Sequence, residues 1–136
     1  MSWRLLTRRA LGLLHEESLS LHGGASGLRD EGLLESALAR PVHLATYGEP
    51  DVAELAAAYG VGLARNHAFV DGNKRAAFLS VGLFLGLNGY RLVATQAEAT
   101  LTILGVAAGA IDQQAFAEWI RGHIEPRTSR HGAPGQ

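Results

Sequence analysis

The chain has 136 residues, enough for one domain with its own core. Hydrophobic residues make up 47% and charged residues 18%, and the formal net charge is −1, which argues against general binding to nucleic acid or anionic membranes. Cysteine is absent, which excludes disulfides, zinc–thiolate sites and thiol catalysis together.

Along the chain, Leu5, Leu6, Leu11, Leu13, Leu14 and Leu19 predict a first helix over roughly residues 5–21, stopped by Gly23-Gly24. This N-terminal stretch has no apolar run long enough for a secretory signal, and Glu16 and Glu17 interrupt it. Residues 26–29 read as a turn. Asp30 is a good N-cap for a second helix carrying Leu33, Leu34, Ala37 and Leu38, and Pro41 should end that helix near Arg40. A loop follows over residues 42–50. Asp51 with Glu54 forms a capping box for a third helix reaching about Asn66. A fourth helix, residues 73–87, is apolar all round, as expected of a central helix, and Asn88-Gly89 closes it. At roughly 20 residues for a membrane span, this run is too short and reads as core.

Residues 90–93 suit one short extended stretch. Thr95 with Glu98 is a second capping box, opening a helix to about Ala108. Asp112 caps a last helix through Phe116, Trp119 and Ile120. Residues 127–136 are polar and rich in Gly, Pro and Ser, so a disordered tail is expected after a domain of residues 1–126. The reading is all-α: a compact single-domain bundle of about six helices, in a soluble cytoplasmic protein.

The chemistry is concentrated in residues 67–75, His-Ala-Phe-Val-Asp-Gly-Asn-Lys-Arg. The turn Asp71-Gly72-Asn73-Lys74-Arg75 lies where a loop enters a helix. There the first N–H groups lack helical partners and the helix dipole is positive. Gly72 allows positive φ and close approach to a ligand. Lys74, the only lysine among 12 Lys and Arg residues, and Arg75 add two cations suited to a polyphosphate. A carboxylate beside phosphate is repulsive unless Mg²⁺ lies between them, and Mg²⁺ takes one or two carboxylates plus phosphate oxygens, so Asp71 suits a metal. His67 is suited to take a proton from a hydroxyl. Base, metal site and phosphate clamp together describe transfer of a phosphate-containing group to an alcohol.

Taken singly, each residue has a plainer reading. His67 fits a core histidine, Asp71 a helix cap, Lys74 and Arg75 a solvated helix turn, and Phe69 and Val70 are structural. Only the joint pattern favours function. The Gly-x4-Gly-Lys-Ser/Thr pattern of a P-loop is absent. His15, His22, His43, His123 and His131 read as structural or solvated.

At these residues the chain resembles the Fic/Doc superfamily, whose signature is His-x-Phe-x-Asp/Glu-Gly-Asn-Gly/Lys-Arg. Lysine at the eighth position resembles the Doc (death-on-curing) toxin branch. The block Gly27-Leu28-Arg29-Asp30-Glu31-Gly32-Leu33-Leu34-Glu35-Ser36-Ala37-Leu38, Ala56-Ala57-Ala58-Tyr59, Asn66, Phe84-Leu85 and Asn88-Gly89-Tyr90 extend the similarity to roughly residues 11–123. The resemblance implies a Fic-type helical fold and an ATP-dependent transferase. His67 would be the general base, Asp71 the Mg²⁺ site, and Gly72, Asn73, Lys74 and Arg75 would bind phosphates.

Where the eighth residue is glycine, the family transfers AMP. With lysine it is regarded as transferring the terminal phosphate, in the manner of a kinase. Elongation factor Tu is the implied substrate and arrest of translation the implied outcome. The family's inhibitory Ser/Thr-x-x-x-Glu-Gly/Asn pattern is not found, because Ser26 and Glu31 are one residue too far apart. A separate antitoxin is therefore implied. AMP transfer, a catalytically silent binding module and a DNA-binding domain are the competing readings. Lys74 disfavours the first, the intact motif the second, and the charge the third.

Overall fold

A computed structural model describes residues 2–127, so the expected tail of residues 127–136 lies outside the described residues except for Arg127, which is tied to the fold by hydrogen bonds to the Gly86 and Gly89 carbonyls. The first helix, α1, is Arg8–His22. It starts later than the leucine pattern predicts, because the Thr7 side chain accepts the N–H of Ala10 and sets the N-terminus. The preceding residues form a strap. The N–H of Leu6 donates to the buried Tyr59 hydroxyl at 2.9 Å, and Asn88 exchanges two hydrogen bonds with the backbone of Arg4.

The second helix, α2, is Glu31–Tyr47, with the Asp30 side chain capping Leu33 N–H as expected. It does not stop before Pro41. The proline lies inside the helix and is fully buried. A mid-helix proline loses one N–H bond and strains the preceding turn. Here burial of its ring against the core overrides that local preference.

Next come α3, Val52–Asn66, and α4, Asn73–Leu87. The capping box of α3 forms, with Asp51 accepting Glu54 N–H and Glu54 accepting Asp51 N–H. The central helix is α3, a correction to the expectation for α4. Every residue of α3 from Leu55 to Ala64 is buried, whereas α4 leaves Lys74, Arg75, Gly82 and Leu87 exposed.

The physical reason is the small residues of α3. A Cβ on Gly60 would lie 2.6 Å from Phe116 Cε2 and 3.0 Å from Val81 Cγ2, and one on Gly62 would lie 3.1 Å from Ala37. Neighbouring helices therefore approach α3 more closely than larger side chains would permit.

After α4, the strand β1, Tyr90–Leu92, leads to α5, Gln96–Ala107, whose Thr95–Glu98 capping box also forms. The helix α6, Gln113–Arg121, is capped by Asp112, and a second strand, β2, Ile124–Pro126, follows. It pairs antiparallel with β1, matching Arg91 with Glu125, and those two form an ion pair. The sequence suggests the first extended stretch but not its partner. Among the described residues there are six helices and one two-stranded sheet, an otherwise all-α bundle. No described helix is long and apolar enough to cross a membrane.

Candidate active site

The signature residues form a loop between the C-terminus of α3 and the N-terminus of α4. His67 takes the C-cap position of α3 at φ 54° and ψ 47°, the one non-glycine residue with positive φ among those described. Its side chain is exposed. Ala68 and Phe69 turn into the core, while Val70 and Asp71 emerge again. Gly72 also adopts left-handed backbone, φ 75° and ψ 21°, and α4 begins immediately after it. Phe69 therefore anchors the loop, as its apolar character suggested.

No side chain caps α4. Its first helical bond runs from Ala76 N–H to Gly72 C=O, so the preceding N–H groups lack helical acceptors. Lys74 and Arg75 stand exposed beside them, and among the described residues neither forms an ion pair. Positive dipole, N–H groups without helical acceptors and two cations converge at one helix end, an arrangement that favours a negatively charged ligand.

Asn73 braces the loop with its side chain. Its side chain is nearly buried, with Oδ1 accepting Phe69 N–H at 3.0 Å and Nδ2 donating to Phe69 C=O at 3.0 Å. Both ends of the amide are thus committed to bracing the loop. Toward the open helix end Asn73 contributes its backbone N–H, in the first turn of α4.

The Asp71 carboxylate is exposed but held. Its Oδ2 accepts Ala25 N–H at 3.2 Å and its Oδ1 accepts Gly72 N–H at 2.8 Å. These bonds, from Ala25 first and then Gly72, keep the carboxyl below its ordinary range, and Arg75 adds to them. Asp71 is therefore ionised at neutral pH. A Cβ at Gly24 would come within 3.0 Å of Asp71 Oδ2, so residues 24–25 form one wall of the site. A lone exposed carboxylate with unused lone pairs fits Mg²⁺ shared with a ligand's phosphates, and no cluster of three potential metal-binding side chains exists among the described residues.

Two supports of this loop escape sequence reasoning. Leu28 forms an isolated antiparallel bridge with Phe69, reinforced by Val70 N–H to Gly27 C=O at 3.0 Å and Arg29 N–H to Ala68 C=O at 2.7 Å. His15 is buried, stacked on Phe69 with ring centroids 3.8 Å apart, and its Nε2 donates to the Asp71 carbonyl at 2.8 Å. Read as structural from the sequence, it is structural at the site itself. His22 is exposed at the rim of the neighbouring groove, His43 packs on Tyr47, and His123 stacks on Trp119. His131 lies outside the described residues.

From Lys74 and Arg75 a groove of about 570 Å³ runs between α4 and α5, walled by Phe78, Leu79, Ile103 and Leu104. That size suits a nucleotide-sized ligand. A second groove, of about 430 Å³, lies between Leu44 of α2 and α6 and touches none of the signature residues.

The sequence matches known proteins. The family model described as "Fic/DOC family" matches residues 5–85, which include the whole signature. The chain is 36% identical over 119 residues to a protein of Escherichia phage P1 named "Protein kinase doc", covering 87% of this chain and 94% of that one. It is 48% identical over 75 residues to "Toxin Doc" of Mycolicibacterium smegmatis, covering 53% of this chain and 57% of that one.

Proposed function

Because the chain belongs to the Fic/DOC family, in its Doc branch, we propose that it is a toxin that transfers the terminal phosphate of ATP to a protein hydroxyl. The observation that carries this reading is the uncapped N-terminus of α4 with Lys74 and Arg75 exposed beside it and ionised Asp71 one residue before Gly72. The names of the two relatives, a kinase and a toxin, support it.

In the proposed reaction, Arg75 grips phosphate oxygens through paired N–H bonds and Lys74 supplies a point charge. The N–H groups that open α4 complete the cradle. His67 accepts the proton of a serine or threonine hydroxyl as its oxygen bonds to the γ-phosphorus. The bond from that phosphorus to the bridging oxygen breaks, and ADP leaves. Asp71 would hold Mg²⁺, which when bound offsets the negative charge gathered on the phosphates.

Lys74 supports transfer of the terminal phosphate over AMP transfer. A glycine there would leave room for the outer phosphates to nest against the backbone. The lysine fills part of that room and shifts the charge, favouring a nucleotide bound in reverse.

Elongation factor Tu in the cytoplasm is the proposed acceptor, with arrest of translation as the result. A separate antitoxin, a small protein with a segment that folds onto this domain, is the proposed restraint. The test uses ATP labelled at the α or the γ position with cell extract, followed by mass spectrometry of the labelled protein. Label should pass from the γ position only, and Arg75→Ala should lose both ATP binding and transfer. Label passing from the α position alone would refute phosphoryl transfer and establish AMP transfer instead. ATP that binds with no label passed on would establish a silent binding module.

A further inference from the structure

The end of α3 is fixed by a residue outside the signature. The last carbonyls of a helix have no helical donors. Where a chain turns left-handed at this point, glycine usually occupies the position, because a Cβ there crowds the neighbouring carbonyl. Here the position belongs to His67, at φ 54°. Such a conformation persists only where the surroundings over-determine it.

Arg29 supplies that determination. Its Nε donates to His67 C=O at 2.7 Å and its Nη2 to Asn66 C=O at 3.3 Å. Its own backbone N–H donates to Ala68 C=O at 2.7 Å. One residue thereby holds three consecutive carbonyls at the turn. The guanidinium also sits at the negative end of the α3 dipole, where a cation is favoured. Arg29 is itself fixed on both sides, by the Leu28–Phe69 bridge before it and the Asp30 cap of α2 after it. Asn66 Nδ2 donates to Leu33 C=O at 2.9 Å, joining the same turn to α2.

We propose that Arg29 is a positioning residue for His67, holding the backbone from which the imidazole projects. It acts through the carbonyls of residues 66–68, while the cradle at α4 is built from other groups. A lysine would not replace it fully, because an ammonium lacks the planar fork that spans two carbonyls. The kinetic consequence rests on the transfer reaction proposed above; the conformational one does not.

The full chain with Arg29→Gln or Arg29→Lys tests it, by ATP binding with Mg²⁺, transfer kinetics on the labelled acceptor, thermal unfolding, and the carbon-13 shifts of His67 Cα and Cβ. In Arg29→Gln, kcat should fall about 10- to 100-fold, in line with the effect of small misplacements of a reacting group. The KM for ATP should change less than about twofold, because binding and turnover are separable losses. The His67 shifts should leave their left-handed values, and Arg29→Lys should fall between the two proteins.

Unchanged kcat and unchanged His67 shifts in folded Arg29→Gln would overturn the proposal. So would parallel loss of ATP binding and turnover, which marks collapse of the whole loop. If Arg29→Gln fails to fold, Arg29→Lys, which keeps the charge, decides by the same readouts. If the wild type transfers nothing, the transfer reading fails, and the His67 shifts alone judge Arg29.

Discussion

His15 Nε2 donates to the backbone carbonyl of Asp71 at 2.8 Å, across 56 positions of sequence. The bond fixes the tautomer, because a carbonyl only accepts. It also fixes the carbonyl side of the peptide whose carboxylate faces the proposed metal. His15→Phe would keep the stack on Phe69 and remove the donor. We predict a loss of about 0.5–1.5 kcal/mol in stability for the hydrogen bond, read by denaturant unfolding. The Mg²⁺ concentration needed for half-maximal ATP binding should rise several-fold. An unchanged Mg²⁺ dependence would mean that the Asp71 carboxylate is oriented by Ala25 and Gly72 alone.

The amide of Asn73 satisfies both polar groups of Phe69, which is buried. Asn73→Ala should strand that N–H and C=O and cost roughly 1–3 kcal/mol. Asn73→Asp keeps the acceptor and loses the donor, so it should be intermediate. If Asn73→Ala proves as stable as the wild type while losing ATP binding, the side chain contacts phosphate and the bracing role is wrong.

Gly60 faces Phe116 Cε2 at a distance where a Cβ would sit 2.6 Å away. Alanine has the better helix propensity, by about 1 kcal/mol. Overpacking against a buried ring costs about 1–3 kcal/mol and opposes it. The net expectation for Gly60→Ala is a lower melting temperature. Gly82, whose added Cβ would meet nothing within 4 Å, is the control. There alanine should stabilise the helix. Equal responses at the two positions would contradict the close approach of α6 to α3.

Asp51 caps α3 and pairs with Arg121 at 2.8 Å. Burial pushes its carboxyl up, but the Arg121 bond and the Glu54 and Ala53 amides outweigh that, leaving it below its ordinary 3.8. A carboxyl depressed in the folded state contributes stability above its unfolded pKa and loses it as pH falls through the folded value. The pair is half-exposed, so its share is at most about 1 kcal/mol. Asp51→Asn should therefore destabilise the chain at neutral pH, and the gap should close as pH falls through the depressed folded-state value, judged from unfolding midpoints across pH. A constant gap at every pH would assign the effect to capping geometry, not to charge.

What the sequence makes legible here is what lies close along the chain. Asp51 with Glu54 and Thr95 with Glu98 are capping signals three residues apart, and both helices start where those pairs predict. The signature is equally local, and its residues lie where α3 ends, at His67, and where α4 begins, after Gly72. The features that escaped are long-range. Nothing near His15 announces Asp71, and nothing near Leu28 announces Phe69.

Tyr90 looks extended alone, but its partner, Pro126, follows two helices later. Apolarity misidentified the central helix, because α4 is the more uniformly greasy, whereas small size let α3 be surrounded. Pro41 illustrates the same limit from the other side, since its local veto was overruled by contacts that the local sequence does not display.

The amide brace of Asn73 has one more consequence. Because the turn is tied by its own side chain and backbone, the proposed nucleotide should lose little affinity to ordering the loop. Capture should then follow a single exponential with no slow isomerisation phase. An inhibitor working on such a braced mouth gains more by plugging it than by bending it.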